Sequence, residues 1–446
     1  MENYLIKNTV LVNDGALVEG DLLIKNGRID ALGSTIATPN YRHTLLDAKG
    51  QYALPGLIDD QVHFREPGLT HKGEIQTESR AAVAGGITSY MEMPNTVPGA
   101  VTIHLLEEKY ARAAQCSAAN YSFFMGTTHD NLEELLRIDK QQICGVKIFM
   151  GSSTGNMLVS KPEILERIFS QVDSIIAVHC EDDPMIEANL NVYRNQFGEN
   201  IPVHFHPLIR SREACYKSSS YAVGLAKRHG TRLHILHIST AEELALFDHS
   251  QPLEKKQITA EACIHHLWFT DADYASKGTL IKWNPAIKSA SDRKALRAAL
   301  TNGIIDVVAT DHAPHTLGEK GKPYTSAPSG GPLVQHSMQV LFELHKQGVL
   351  SIPDIAKLGA HHPALLFKVK ERGFLREGYF ADIVLFDPNK PDSVTREGLL
   401  YKCGWSPFEG TTFGGSVTHT WVNGRLAYQN GYMMEGSPGM RLSFDR

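Results

Sequence analysis

The chain has 446 residues, with 44 Lys and Arg against 49 Asp and Glu, a formal net charge of −5 and 42% hydrophobic residues. That composition excludes a disordered or fibrous chain, and the mildly acidic balance excludes a nucleic-acid binder that works through a basic surface. The length suits two or three domains, or one large α/β barrel with an appendage.

The chain opens Met1-Glu2-Asn3-Tyr4-Leu5-Ile6-Lys7, without the basic start and apolar run of a signal peptide. No stretch approaches ~20 uninterrupted apolar residues, so no membrane span is expected. Leu5–Val12, Asp21–Lys25 and Arg28–Leu32 read as short strands, separated by Asn13-Asp14-Gly15 and Asn26-Gly27. Asn-Gly between apolar runs is a strong hairpin signal. The far end reads alike: Gly378–Asp387 is a strand after a turn, and Val417–Val422, Asn423-Gly424 and Arg425–Tyr428 form a hairpin. Two strand-rich ends around a different middle predict one small β domain built from both.

The middle alternates. Eight strand candidates are Leu54–His63, Ile87–Met93, Tyr121–Gly126, Gly145–Met150, Ser174–His179, Arg232–His237, Gln257–Cys263 and Asp306–Thr310. Helical patterns such as His104–Ala114 and Lys161–Ser170 lie between them. The expected fold class is α/β: a (β/α)₈ TIM-type barrel over 54–367, with a small β-sandwich domain from 1–53 and 368–446. A doubly wound open sheet would alternate similarly, but no glycine-rich phosphate fingerprint follows the first strand.

There are 21 His, and several fall at strand ends. The first strand ends Gln61-Val62-His63-Phe64-Arg65-Glu66-Pro67-Gly68, the fifth His179-Cys180-Glu181-Asp182, the sixth His237-Ile238-Ser239-Thr240 and the eighth Thr310-Asp311-His312-Ala313-Pro314-His315. The second runs into Met93-Pro94-Asn95-Thr96, and the fourth contains Lys147. In a parallel barrel all these ends meet at one face. Imidazole and carboxylate are ligands for a divalent ion, so His63, His179, His237 and Asp311 form a candidate metal set. Lys147 fits beside a cation only as a carbamate, an anion able to bridge two ions. Singly, each residue has a plainer reading: a hydrogen-bonded histidine, a salt-bridged lysine, an N-cap aspartate. The joint placement favours the metal reading.

Other histidines are discounted. Val203-His204-Phe205-His206 sits between prolines and reads as loop or interface, and the adjacent pairs His265-His266 and His361-His362 diverge. Met91 and Met93 read as core filling. The six cysteines form no CxxC pair, which suits a reduced cytoplasmic chain.

At these residues the chain resembles the dihydroorotases of the amidohydrolase superfamily over nearly its whole length. The resemblance rests on Leu54-Pro55-Gly56-Leu57-Ile58-Asp59, His63-Phe64-Arg65-Glu66-Pro67-Gly68, Met93-Pro94-Asn95-Thr96, Lys282-Trp283-Asn284-Pro285 and Thr310-Asp311-His312-Ala313-Pro314-His315-Thr316. The Arg65-to-Gly68 and Met93-to-Thr96 elements set it apart from hydantoinases and allantoinases. The resemblance implies reversible, zinc-dependent interconversion of N-carbamoyl-L-aspartate and L-dihydroorotate in pyrimidine synthesis. It implies one or two zinc ions, an N6-carboxylated Lys147, and Asp311 as ligand and general base. Substrate contacts would come from Arg65, Asn95, Asn284, His315, Ser329 and Gly330. It also implies a small-molecule substrate and a cytoplasmic homo-oligomer, such as a dimer.

One position departs from the pattern. The family's first strand ends in His-x-His, and here the first of the pair is Gln61, a weaker, neutral ligand. Three readings stay open: Gln61 attends a loosely held second ion; a single ion sits at Lys147, His179 and His237; or the chain is an inactive structural subunit. Another cyclic amidohydrolase, hydantoinase- or allantoinase-like, is the alternative enzyme.

Overall fold

Eight short apolar runs become parallel strands in the computed structural model, which describes residues 2–152, 155–436 and 439–446. They are β1 (Leu57–Val62), β2 (Ile87–Glu92), β3 (Asn120–Phe123, continued by Met125–Gly126), β4 (Val146–Phe149), β5 (Ile176–His179), β6 (Leu233–Ile235), β7 (Ile258–Cys263) and β8 (Val307–Ala309). Each pairs in parallel with the next. A parallel bridge from Val62 to His312 returns the last strand to the first. That closure selects the barrel over the open sheet.

Period-two alternation sets the two sides of the wall. Val146, Ile148, Ile176, Val178 and Ile235 face outward and share a core with the covering helices, among them Pro162–Gln171 and Arg212–His229. Met91, Met93, Phe124, Ala177 and Leu236 fill the interior, which Phe367, Phe374 and the tail residues Leu442 and Phe444 close off. The two methionines are core filling, as expected.

Both chain ends build a second sheet. Its strand order is Tyr432–Met433, Arg425–Gln429, Ser416–Val422, Ile383–Asp387, Tyr52–Pro55, Tyr4–Asn13, Ala16–Lys25 and Arg28–Gly33, with Thr44–Asp47 beside Tyr4–Asn13. The predicted strand Leu54–His63 is therefore divided at Gly56: Tyr52–Pro55 pairs with Ile383–Asp387, and the barrel strand begins at Leu57. Gly56 sits so close to Thr88 that a Cβ would lie 2.2 Å from its side chain, so the crossing requires glycine. Asp382 joins the two parts. It is ion-paired with buried Arg372 and accepts from Asn120 Nδ2 at 3.1 Å and Asn423 N at 2.7 Å.

The segment Val203–His206 differs from the expected loop. Val203–Phe205 and His206–Ile209 are short helical turns, His204 is exposed, and His206 is buried between Tyr324 Oη (2.8 Å) and Trp283 O (2.6 Å). Helical turns satisfy the backbone locally and let the ring pack inward. Among the described residues, no helix is long and apolar enough to cross a membrane.

The seam between β1 and β8 carries a testable interaction. Thr310 donates Oγ1–H to Asp59 Oδ2 at 2.6 Å and N–H to Asp59 Oδ1 at 3.2 Å, while His63 N donates to His312 O at 2.7 Å. Thr310→Val leaves Asp59 Oδ2 buried without that donor. Stability should fall by about 2 kcal/mol in urea unfolding, and an unchanged midpoint would refute this role for the seam.

Candidate active site

Every residue put forward from the sequence as a metal or substrate contact lines one cavity of about 600 Å³ at the ends of the barrel strands. Gln61 and His63 come from β1 and its end, Lys147 from β4, His179 from β5, and His237 and Asp311 from just beyond β6 and β8. Asn95, Arg65, Asn284, His315, Ser329 and Gly330 line the same space from the following loops. Three of these residues hold left-handed backbone: Arg65 (φ 71°), His237 (φ 42°) and Asp311 (φ 50°). Non-glycine residues avoid that region, and strain of about 1–3 kcal/mol each persists only where the surroundings impose it. Here it turns three side chains into the cavity as their strands end.

The histidines are held in defined tautomers. His179 Nε2 donates to Glu181 Oε2 at 2.9 Å, so its Nδ1 presents a lone pair 3.0 Å from His237 Nε2. His63 Nδ1 donates to Asn95 Oδ1 at 2.7 Å, which turns its Nε2 lone pair toward Asp311 Oδ1 at 3.1 Å. Burial, reinforced by Arg65 beside His63 and His179 beside His237, pushes both imidazoles well below their usual range and keeps them neutral. Burial also pushes the Asp311 carboxyl up to about 7 and the Lys147 ammonium down to about 7. Potential ligand atoms thus converge in pairs, and buried His237 Nδ1 has no hydrogen-bond partner among the described residues. This donor set fits a divalent cation.

A cationic corner stands beside it. Arg65 is buried, spends Nε on Pro314 O (3.1 Å), and brings Nη2 to 3.0 Å from His315 Nε2. Among the described residues it has no carboxylate within ion-pair distance. Lys72 donates to His315 Nδ1 at 3.2 Å, and His315 Nε2 donates to Ser329 O at 3.0 Å. Burial, with Arg65 and Lys72 nearby, holds His315 neutral, far below its usual range. On the cavity's Trp283–Asn284 side, buried Asn284 Oδ1 has no hydrogen-bond partner among the described residues.

Sequence reasoning missed several supporting groups. Glu181 orients His179. Burial alone would raise its carboxyl, but Arg210 and His179 more than offset that and hold it well below the usual range. Its place two residues after a strand-end histidine, on the same side of the chain, was a usable signal. Lys72 had none. Lys320 had none either, yet it is fully buried and donates to Lys282 O (3.2 Å), Pro328 O (3.0 Å) and Gly330 O (2.7 Å). Lys282 in turn donates to Tyr324 O (2.7 Å) and Ala327 O (2.6 Å). These two ammonium groups pin the loop that carries Ser329 and Gly330.

Comparison with known proteins agrees with this architecture. Residues 52–427 match the model of the amidohydrolase family. A dihydroorotase of Halobacterium salinarum is 32% identical over 407 residues, covering 90% of this chain and 92% of that protein. A dihydroorotase of Methanosarcina mazei is 30% identical over 420 residues, covering 92% of this chain and 91% of that protein. Among solved structures, L-hydantoinase (dihydropyrimidinase) from Arthrobacter aurescens has a TM-score of 0.93 at 25% identity, covering 99% of this chain and 100% of that one.

If Glu181 fixes His179 for ligation, Glu181→Ala should weaken zinc affinity about 10–100-fold, as loss of such outer partners does. Competition titration against a chelator reads this. Wild-type affinity in the folded variant would remove Glu181 from the metal argument.

Proposed function

The chain belongs to the amidohydrolase family, and on that premise we propose that this hydrolase of cyclic amide bonds is a zinc-dependent dihydroorotase. It would interconvert L-dihydroorotate and N-carbamoyl-L-aspartate in pyrimidine synthesis. The observation that carries this reading is the buried Arg65, without an ion-pair partner among the described residues, next to the His63, His179, His237 and Asp311 donor set. A buried guanidinium without a counter-ion suits an anionic ligand, and its planar fork matches a carboxylate. The ring of dihydroorotate carries such a carboxylate, on the carbon across the ring from the nitrogen that departs. The ring of hydantoin does not.

In this reading His63, Lys147, His179, His237 and Asp311 hold the metal, with Gln61 a weak neutral neighbour. When bound, the ion supplies Lewis-acid polarisation of the ring carbonyl and a water of lowered pKa. The rest is the work of the chain. Arg65, with Asn95 and His315, grips the substrate carboxylate, and Asn284 with the Ser329–Gly330 backbone orients the ring amide. Water oxygen bonds to the ring carbonyl carbon while Asp311 takes its proton. The C–N bond then breaks, and Asp311 returns that proton to the departing ring nitrogen. One carboxylate placed beside both the water and the departing nitrogen can serve as base and then as acid. The reverse sequence closes the ring and releases water.

Lys147 is prepared for carboxylation. The neutral amine adds to CO₂ and loses one proton to give the carbamate. Burial brings the ammonium down to about 7, so the reactive form becomes abundant above that pH and is lost below it. In labelled bicarbonate, the ¹³C carbamate signal of the metal-free protein should therefore rise as pH increases through about 7. A signal absent at pH 8, or present in Lys147→Ala, counts against the assignment.

The functional test is a side-by-side assay of dihydroorotate, hydantoin and allantoin with the zinc-loaded protein. Dihydroorotate should turn over. Arg65→Ala should lower kcat/KM for it by about 100-fold, the scale for leaving a buried charge unpaired. Turnover of hydantoin but not dihydroorotate would make the chain a hydantoinase, and neither metal binding nor turnover would make it a structural subunit.

A further inference from the structure

Deeper in the barrel, outside the lining of the active-site cavity, three strands bring Asp60 (β1), His234 (β6) and Glu261 (β7) together. All three are 0% exposed. Thr259 Oγ1 donates to Leu233 O at 3.3 Å, so it must accept the proton of His234 Nδ1 at 2.8 Å. The other ring nitrogen then faces the carboxylates, with Nε2 3.0 Å from Asp60 Oδ2 and 3.8 Å from Glu261 Oε2.

Neither approach has hydrogen-bond alignment. Among the described residues, His234 Nε2, both Asp60 oxygens and Glu261 Oε2 are buried without a hydrogen-bond partner. The remaining Glu261 oxygen is committed: it accepts from His237 N at 2.9 Å and from the Cys263 thiol at 3.2 Å. Buried polar atoms are ordinarily satisfied, so four converging exceptions require a cause. Of the two carboxylates, Asp60 pairs with an imidazolium when no ion is bound, because, against the lowering effect of burial, Asp60 and Glu261 raise His234 to about 9, and Glu261, pushed up to about 7 by burial and Asp60, is only partly ionised. A divalent cation would balance both and occupy all the orphaned atoms. Zinc ligands at about 2.1 Å stand about 3.4 Å apart in a tetrahedron, and the 3.0 and 3.8 Å separations straddle that value.

We propose that Asp60, His234 and Glu261 form a second, structural divalent-cation site that ties β1, β6 and β7 together beneath the catalytic cavity. Its mixed nitrogen and oxygen donors suit zinc or a similar borderline ion. Its closed surroundings suit a structural ion rather than one that meets substrate. The site does not depend on which cyclic amide the cavity accepts. Through Glu261 it holds the backbone of His237, and through the Cys263 thiol, 3.5 Å from Gln61 Oε1, it adjoins the position where Gln61 stands.

The test uses crystals of the intact protein grown in millimolar zinc chloride, with data collected on both sides of the zinc edge. An anomalous peak between Asp60 and His234, bonded also to Glu261, is the expected result; no peak there overturns the site and leaves an ion pair. In solution, Asp60→Asn should cost one zinc equivalent per chain by elemental analysis while the cavity keeps its own metal. An unchanged zinc content in the folded variant also overturns the proposal. Should the variant not fold, the wild-type map decides.

Discussion

Everything at the active site depends on closing a parallel sheet into a ring. Parallel strands all end on the same side, so closure turns eight separate strand ends into the wall of one cavity. The seam is polar as well as steric. Asp59 accepts from the Thr310 hydroxyl and backbone, and His63 N reaches His312 O, directly beside the residues that face the cavity. His312 is itself held by Glu78 at 2.8 Å and by Leu333 N at 2.9 Å. The last strand therefore delivers Asp311 opposite His63, although they are 248 residues apart.

Burial then decides the chemistry. In water these histidines would titrate near neutrality and Lys147 would be a cation. Inside the barrel burial keeps His63 and His237 neutral and pushes the Lys147 ammonium down and the Asp311 carboxyl up, each to about 7. The same low-dielectric setting makes each unpaired group costly. It is why Glu181 must stand behind His179, and why two buried lysines are spent on loop carbonyls. The loop that carries Ser329 and Gly330 is pinned in this way, with Lys320 donating to Pro328 O and Gly330 O on either side of Ser329.

Much of this was legible beforehand. Strand runs, Asn-Gly turns and strand-end ligands are local patterns, and period-two alternation predicts which side chains face inward. The division at Gly56 was not legible, because it depends on how closely Thr88 approaches. Nor was the burial of His206, whose partners Trp283 and Tyr324 lie far along the chain. Lys72, Lys320 and Glu261 look like ordinary charged residues until the loops and strands around them are folded.

The sequence by itself determined the alternation of strands and helices, the pairing of the two ends into one sheet, and the set of strand-end residues that meet in one cavity. Those follow from residue type and spacing, which are properties of the chain alone. Only the tertiary structure decided which nitrogen of each histidine faces the cavity, which acids and amines shift toward neutrality, and that Arg65 stands without a counter-ion among the described residues. It also placed Asp60, His234 and Glu261 against one another. These are consequences of distance and dielectric, set by contacts between residues that the linear order keeps far apart.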